Sequence, residues 1–280
     1  MSAMLTTDRA AARGTAIETT SRGTTVRWMR TLVAKDGLTP ILVRVVLVPV
    51  LLTIAGVAFM VFGPAPIRPN AVGGVDDDQA VFLLLGYMLL GQLVIIVSGA
   101  WLYLRDVLSH SLGGTYTAVP NRCAVVVGTA LAAALAGAVG ALLSVLVGAL
   151  TFVVLGHADL VATLSSPRLL QMLVVLPVGA ALLSIIAVAV AVLVRRPIPA
   201  AVLLVVWATY GEDAVGLIPG LGPVFKALLP LTNVHVAAGI KGVLGISGSP
   251  FVALLWVTVT AAVMLAIAVA AERRRRGWVS

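Results

Sequence analysis

Charged residues are scarce in this chain. Of its 280 residues only 11% are charged, whereas 60% are hydrophobic. No packing of a chain of this length could hide so much apolar surface from water. We therefore expect a single bundle in a membrane, with no room for a sizeable soluble domain. A domain that hydrolyses nucleotides, if one is needed, must then come from another chain.

Several chemical groups are also rare or missing. The lone cysteine, Cys123, excludes an internal disulfide and is expected to be a small buried residue rather than a reactive thiol. His110, His157 and His235 lie in separate joints between apolar runs, which argues against a metal cluster. No glycine-rich loop ends in Gly-Lys-Ser/Thr, and the chain has no His-Glu-x-x-His motif. We therefore predict no ATP site of that kind, no metal, no cofactor and no enzymatic activity in this chain.

Long apolar runs dominate what is present. A hydrocarbon core of roughly 30 Å needs about 20 apolar helical residues to cross it, and only helices satisfy the backbone within such runs. The fifth run reaches that length only if its outer end includes Glu212 and Asp213. The predicted fold is an all-α polytopic membrane protein whose six transmembrane helices cover residues 41–63, 81–104, 123–155, 169–194, 198–217 and 251–271.

The segment before the first span divides into two parts. Residues 1–23 are rich in Thr, Ala and Arg without apolar periodicity, and are predicted to form a disordered cytoplasmic tail. Residues 24–38 place apolar side chains on one helical face, which indicates an amphipathic helix lying on the membrane. A merely basic flank of the first span is the alternative. Residues 24–280 as a whole are predicted to form one transmembrane domain.

Basic residues are distributed unevenly between the two sides of the predicted bundle. Of the 19 Lys and Arg residues, four fall in the predicted outer joints, namely Arg68, Arg168, Lys226 and Lys241. This asymmetry places both termini in the cytoplasm of a protein that crosses the cell membrane several times. The net charge of +8 is then explained by orientation and by anionic headgroups of the lipid bilayer, rather than by binding to nucleic acid.

One predicted cytoplasmic joint, residues 105–122, is long enough for a helix and a docking surface. Asp106 lies at its start, and Pro120 would end the helix before the third span. Its apolar face would consist of Val107, Leu108, Leu112 and Tyr116.

The order of residues in and before this joint resembles the type-2 ABC exporter permeases of actinobacteria. The resemblance is carried by Gly91-Gln92, Asp106, Ser111-Leu112, Thr115, Ala118-Val119-Pro120 and Arg122. In that family the stretch usually reads Gly-Glu-Tyr-Ser-Thr-Gly-Thr-Ile-Arg-x-Thr-Leu-x-Ala-Val-Pro-x-Arg. This chain departs from the pattern at Arg105, His110 and Gly113. The similarity in span pattern covers residues 25–280, and the motif itself covers 90–122 and, more weakly, 229–239.

The resemblance implies a partner and a set of docking residues. An ABC-type ATPase subunit would bind ATP and Mg²⁺ and dock on this joint, while the chain pairs with a second copy or with a similar permease as a homodimer or heterodimer. The docking residues would be Asp106, Leu108, Ser111, Leu112, Thr115, Tyr116, Pro120 and Arg122.

A second unusual joint, residues 211–250, is predicted on the outer side. Proline and glycine interrupt its apolar residues, which indicates two short re-entrant helices over about 222–229 and 234–244. Type-2 exporter permeases are similar, with a re-entrant hairpin that closes the outer gate. The gate candidates are Glu212, Asp213, Pro219, Pro223 and Pro230.

Three polar or small-residue features of the membrane zone have alternative interpretations. Glu212 and Asp213 either carry function or reach the outer headgroups, where they could pair with Lys226 or Lys241. Gln92 is expected to make an interhelical hydrogen bond rather than to contact substrate. Small residues occur at every fourth position of the third span, namely Ala136, Gly140, Ser144 and Gly148. This pattern predicts that a neighbouring helix approaches closely. A helix of the same chain is favoured as that neighbour over a helix of a second copy.

The function predicted from these features is that of a membrane permease subunit in an ATP-driven ABC exporter. An ion-coupled secondary transporter, with Glu212 or Asp213 as its ion site, is one alternative. A membrane anchor or regulatory subunit without transport of its own is another.

Overall fold

A computed structural model describes residues 46–62, 91–108, 121–155, 167–216, 218–219, 221–239 and 249–274. The regular elements of these residues are all helical. We number the α-helices α1 (Val48–Phe62), α2 (Gln92–Leu108), α3 (Arg122–Val154), α4 (Pro167–Val194), α5 (Pro197–Val206), α6 (Glu212–Gly216), α7 (Gly222–Leu228), α8 (Pro230–Ala237) and α9 (Pro250–Arg274). A π-helical turn, Trp207–Gly211, joins α5 to α6.

Three helices of the described residues are long and apolar enough to cross a membrane. They are α3, the Gln171–Val194 part of α4, and α9. These helices coincide with the third, fourth and sixth predicted spans. Large apolar side chains such as Leu135 and Leu150 on α3 and Phe251 on α9 are exposed, as expected for surfaces that face lipid or another apolar partner. The membrane assignment is supported by helix length and composition.

The other three predicted ranges contain helices whose described parts are shorter. α1 has 15 residues, and most of the remainder of its predicted span, 41–45 and residue 63, lies outside the described residues. α2 begins at Gln92 and continues four residues past the predicted end of its span, while residues 81–90 are outside the described part. Helical backbone continues from Pro197 through the π-helical turn to Gly216, as the sequence predicted for the fifth run.

Helix α4 occupies the centre of the bundle. It contacts α2, α3, α5, α8 and α9, and its middle residues Leu183, Ala187, Val188 and Ala191 are buried. The many alanines of α4 leave room for neighbouring helices to approach closely. The central helix therefore ties the three long helices to the shorter elements that follow it.

Small residues set the closest helix contacts. A Cβ atom added at Gly137 of α3 would lie 2.5 Å from the Ser184 hydroxyl oxygen and 3.3 Å from the Ala180 carbonyl oxygen of α4, so a larger residue would force these helices to adjust. On another part of α3, a Cβ at Gly148 would lie 3.2 Å from a methyl group of Thr53 in α1. The predicted ridge of small residues thus meets a helix of the same chain at Gly148.

Two short helices follow α6, and one differs from its predicted position. α7 agrees with the predicted 222–229 segment. α8 begins at Pro230 and ends at Ala237, with a turn at residues 238–239, so the predicted range of about 234–244 is wrong at both ends. Proline is favourable in the first turn of a helix because its missing N–H would have no intrahelical partner there. The segments 1–23 and 24–38 and residues 240–248 lie outside the described residues.

Candidate functional site

The carboxylate of Glu212 joins the end of the fifth apolar helix to α8. Its Oε1 accepts hydrogen bonds from the Leu231 backbone N–H (2.9 Å) and the Trp207 indole N–H (3.0 Å). Its Oε2 accepts from the backbone N–H (2.6 Å) and the hydroxyl (2.8 Å) of Thr232. Because the first N–H groups of a helix have no intrahelical acceptor, Glu212 caps α8 from a different helix. Four donors therefore surround this carboxylate.

The π-helical turn explains how Trp207 can reach Glu212. In a regular α-helix, residues five apart are separated by about 140° around the axis, because about 3.6 residues make one turn. The wider turn of Trp207–Gly211 brings these two side chains to the same side of the helix. π-Helical turns within α-helices are rare and occur frequently at functional sites.

Burial of Glu212 rejects one interpretation of this residue. The residue is only 4% exposed, and its two oxygens face protein donors, so the alternative in which Glu212 reaches the outer headgroups is wrong. The side chains of Asp213 and Pro223 lie outside the described residues. Pro219 is exposed in the turn between α6 and α7, whereas Pro230 opens the helix that Glu212 caps. Of the described gate candidates, Glu212 and Pro230 are thus both associated with the start of α8.

Other side chains attach the α7–α8 segment to the bundle. The Gln92 carbonyl of α2 lies 3.1 Å from His235 Nε2, which confirms the predicted interhelical hydrogen bond. Gln171 of α4 donates to the Ala237 carbonyl at 2.6 Å, and Trp256 of α9 donates to the Leu228 carbonyl at 2.7 Å. Side chains from several helices thus hold α7 and α8 in place.

A cavity of about 300 Å³ lies beside α8. The π-helical turn lines one side of it, and the start of α2 lines another. Its described lining residues are the polar Gln92, Thr209, Tyr210 and His235 and the apolar Leu93, Ala208 and Leu231. The cavity therefore has apolar walls and several hydrogen-bonding groups, and none of these seven residues is acidic.

An ion pair with a buried carboxylate joins two other element ends. Arg195, in the link between α4 and α5, is hydrogen-bonded through its guanidinium to the carboxylate of Glu272 near the end of α9. Glu272 is fully buried, whereas the Arg195 side chain is 34% exposed. The backbone of Arg195 has φ of 54°, an uncommon conformation for a residue other than glycine. Sequence reasoning missed this pair because the sixth span was taken to end at residue 271.

The predicted docking residues are only partly described. Asp106 is buried at the end of α2, with its carboxylate 4.0 Å from Arg105 Nε, and Leu108, the last residue of α2, is 48% exposed. Arg122 is the first residue of α3. The remaining docking candidates lie outside the described residues, namely Ser111, Leu112, Thr115, Tyr116 and Pro120.

The environment of Cys123 differs from its prediction. The residue is partly exposed rather than buried, and its Sγ accepts a hydrogen bond from Arg273 Nε at 3.3 Å. Across the part of the chain that the structure describes, no group of three His, Cys, Asp or Glu residues could hold a metal ion.

Comparison of the chain with family models, with curated proteins and with solved structures finds no match.

Proposed function

We propose that this chain is the membrane permease subunit of an ATP-driven ABC exporter. In this proposal six helices cross the cell membrane, both termini are cytoplasmic, and residues 219–249 enter and leave from the outside as a re-entrant hairpin. Two permease chains, identical or similar, form the translocation path. A separate ABC-type ATPase binds ATP and Mg²⁺.

The observation that carries the proposal is the link made by Glu212. Its carboxylate connects the apolar helix that ends at Gly216 to α8, the second short helix after it. Movement of the helix that holds Trp207 and Glu212 would therefore be transmitted to α8. An outer gate requires such a connection between a moving span and the segment that closes the path.

The joint between α2 and α3 is the second part of the proposed mechanism. Asp106 and Leu108 end α2, and Arg122 begins α3, so the joint between them lies between two helices of the bundle. Closure of the ATPase pair on ATP would push on this joint and rotate α2 and α3. Contacts of α2 with α5, and the bond between Gln92 and His235, would carry that movement toward α8.

The donors around Glu212 disfavour the secondary-transporter alternative. A bound cation needs oxygen ligands with free lone pairs directed at it. Each Glu212 oxygen instead accepts two N–H or O–H donors in the described structure. A coupling-ion site at Glu212 would first have to break these hydrogen bonds.

Docking is tested by charge substitutions on the joint. Leu108→Glu and Leu112→Glu should release the ABC-type ATPase from the detergent-solubilised complex, because each places a charge on the proposed apolar docking face. The measurement is the amount of ATPase retained on the affinity-purified chain. Ile198→Glu is the matched control, because Ile198 is an exposed apolar residue at the start of α5, outside the joint at residues 105–122.

Retention of the ATPase by both leucine variants, with the Ile198 control unchanged, would contradict docking on this joint. Size-exclusion profiles that match the parent chain establish that each variant remains folded.

Topology is tested by cysteine labelling on intact cells. In a Cys123→Ser background, Asp77→Cys and Ala162→Cys should react with a membrane-impermeant maleimide added outside. Gly113→Cys and Gly277→Cys should react only after the cells are opened. External labelling at position 113 would invert the orientation and remove the proposed contact with the ATPase.

A further inference from the structure

We infer that the cavity beside α8 is a binding site for a neutral amphiphile that carries a carbonyl oxygen. The site is formed by the π-helical turn Trp207–Gly211, the start of α2 and the α8 residues Leu231 and His235. Its volume of about 300 Å³ lies at the small end of the range typical of ligand sites, roughly 300–1,000 Å³.

Gln92 supplies the group that selects the ligand. The residue is 3% exposed and its carbonyl lies against His235 Nε2, yet its amide Nε2 has no hydrogen-bond acceptor among the described residues. A buried polar group without a partner is costly, and such groups are rare in folded proteins. Because the unpartnered group is a donor, the ligand that satisfies it must offer an acceptor such as a carbonyl oxygen.

The rest of the lining defines the other properties of the ligand. Leu93, Ala208 and Leu231 provide apolar contacts, and the lining residues that the structure describes include no Asp, Glu, Lys or Arg. The Thr209 hydroxyl already donates to the Val205 carbonyl. Tyr210 is exposed at the rim, which leaves the cavity open at the surface of the bundle. A charged ligand would lose its hydration without gaining a counter-charge, so a neutral ligand is favoured.

The π-helical turn gives the cavity its position and its rigidity. Its middle residues, Ala208, Thr209 and Tyr210, face the cavity, while Trp207 is held by the Glu212 carboxylate. The same carboxylate accepts a hydrogen bond from the backbone N–H of Leu231, which also lines the cavity. One buried group thus holds two elements of the lining, and this preorganisation favours a site that is present before the ligand binds.

The test uses protection of an introduced thiol. In a Cys123→Ser background, Thr209→Cys places a single reactive thiol in the lining of the cavity. The purified chain, without any ATPase, is labelled with N-ethylmaleimide in detergent in the presence of methyl octanoate, octanoate or decane. Methyl octanoate should slow the labelling, whereas the anion, which is charged, and the hydrocarbon, which lacks an acceptor, should leave the rate unchanged.

Gln92→Leu should weaken the apparent affinity for methyl octanoate about fivefold, because one net neutral hydrogen bond is lost. Gln171→Leu is the matched control, since it removes a glutamine bond to the Ala237 carbonyl without changing the cavity lining. Binding of methyl octanoate to the chain with native Thr209, measured by equilibrium dialysis, should show the same loss with Gln92→Leu.

Two sources of the ligand are distinguished in phosphatidylcholine nanodiscs. If lipid esters fill the cavity, labelling is already slow there and Gln92→Leu accelerates it. If the ligand is a free amphiphile, labelling is fast until methyl octanoate is added. Equal protection by decane, protection by octanoate, or protection unaffected by Gln92→Leu would overturn the assignment. These results leave ATPase docking unaffected, so failure of the site is distinct from failure of the proposed function.

Discussion

Replacing Glu212 with alanine should lower the free energy of unfolding by about 4 kcal/mol, because each buried donor left without an acceptor costs about 1–3 kcal/mol. The donors concerned are the backbone N–H groups of Leu231 and Thr232, the Thr232 hydroxyl and the Trp207 indole. Loss of the cap should also release the start of α8. The measurement is denaturant-induced unfolding of the purified chain in detergent, followed by Trp fluorescence and helical circular dichroism.

The free energy of unfolding of Glu212→Gln should lie between those of Glu212→Ala and the parent chain. The glutamine amide keeps one acceptor oxygen but points an N–H₂ group at two donors. Thr258→Ala serves as the control, since the exposed Thr258 hydroxyl bonds only to the Leu254 carbonyl of its own helix among the contacts described. Equal stability of Glu212→Ala and the parent chain would show that the carboxylate does not make these bonds in solution.

Arg195→Ala should lower the free energy of unfolding by roughly 3–5 kcal/mol, about as much as Glu212→Ala, because it removes the guanidinium partner of a buried carboxylate. Glu272→Ala should cost less, since the Arg195 side chain is partly exposed and can turn toward water whereas Glu272 cannot. The double variant should be more stable than Arg195→Ala alone, because it no longer contains an unpaired buried carboxylate. Thermal unfolding of the four proteins in one detergent, analysed as a double-mutant cycle, measures the coupling.

Substitution of Arg195 by alanine removes the side-chain interaction without relieving the backbone strain at this position. Arg195 has a positive φ, which alanine tolerates no better than arginine, so the backbone strain is similar in both chains. A coupling energy near zero, with both single variants as stable as the parent, would exclude the pair as a structural link.

Hydropathy was sufficient to predict the long helices. Runs of about 20 apolar residues have few alternatives to a helix, which explains why the ranges for α3, α4 and α9 agree with the sequence. The continuation of the fifth helix past Gly211 followed from the same length requirement. The π-helical turn within it did not, because no local composition distinguishes that turn from a regular α-helix.

The polar contacts of the candidate site could not be predicted in the same way, because they join residues that are distant in sequence. Glu212 was identified as unusual because a carboxylate in an apolar zone is costly, but its donors on α8 lie 19 and 20 residues away. The Arg195–Glu272 pair spans 77 residues, and treating Glu272 as the edge of the last span concealed it. The start of α8 at Pro230 was also missed because it depends on a distant contact: the carboxylate that caps α8 comes from another helix. Of these polar contacts, the interhelical role of Gln92 was predicted, because a glutamine within a span needs a partner.

The most direct test of the proposed exporter is the composition of the native complex. The tagged chain is purified from detergent-solubilised membranes of its native host and analysed by mass spectrometry and by ATP hydrolysis. We predict an ABC-type ATPase in amounts equal to the permease, with ATP hydrolysis that disappears from the eluate of Leu108→Glu. A chain that elutes without an ABC-type ATPase, even after chemical crosslinking in the intact membrane, would contradict the proposed function.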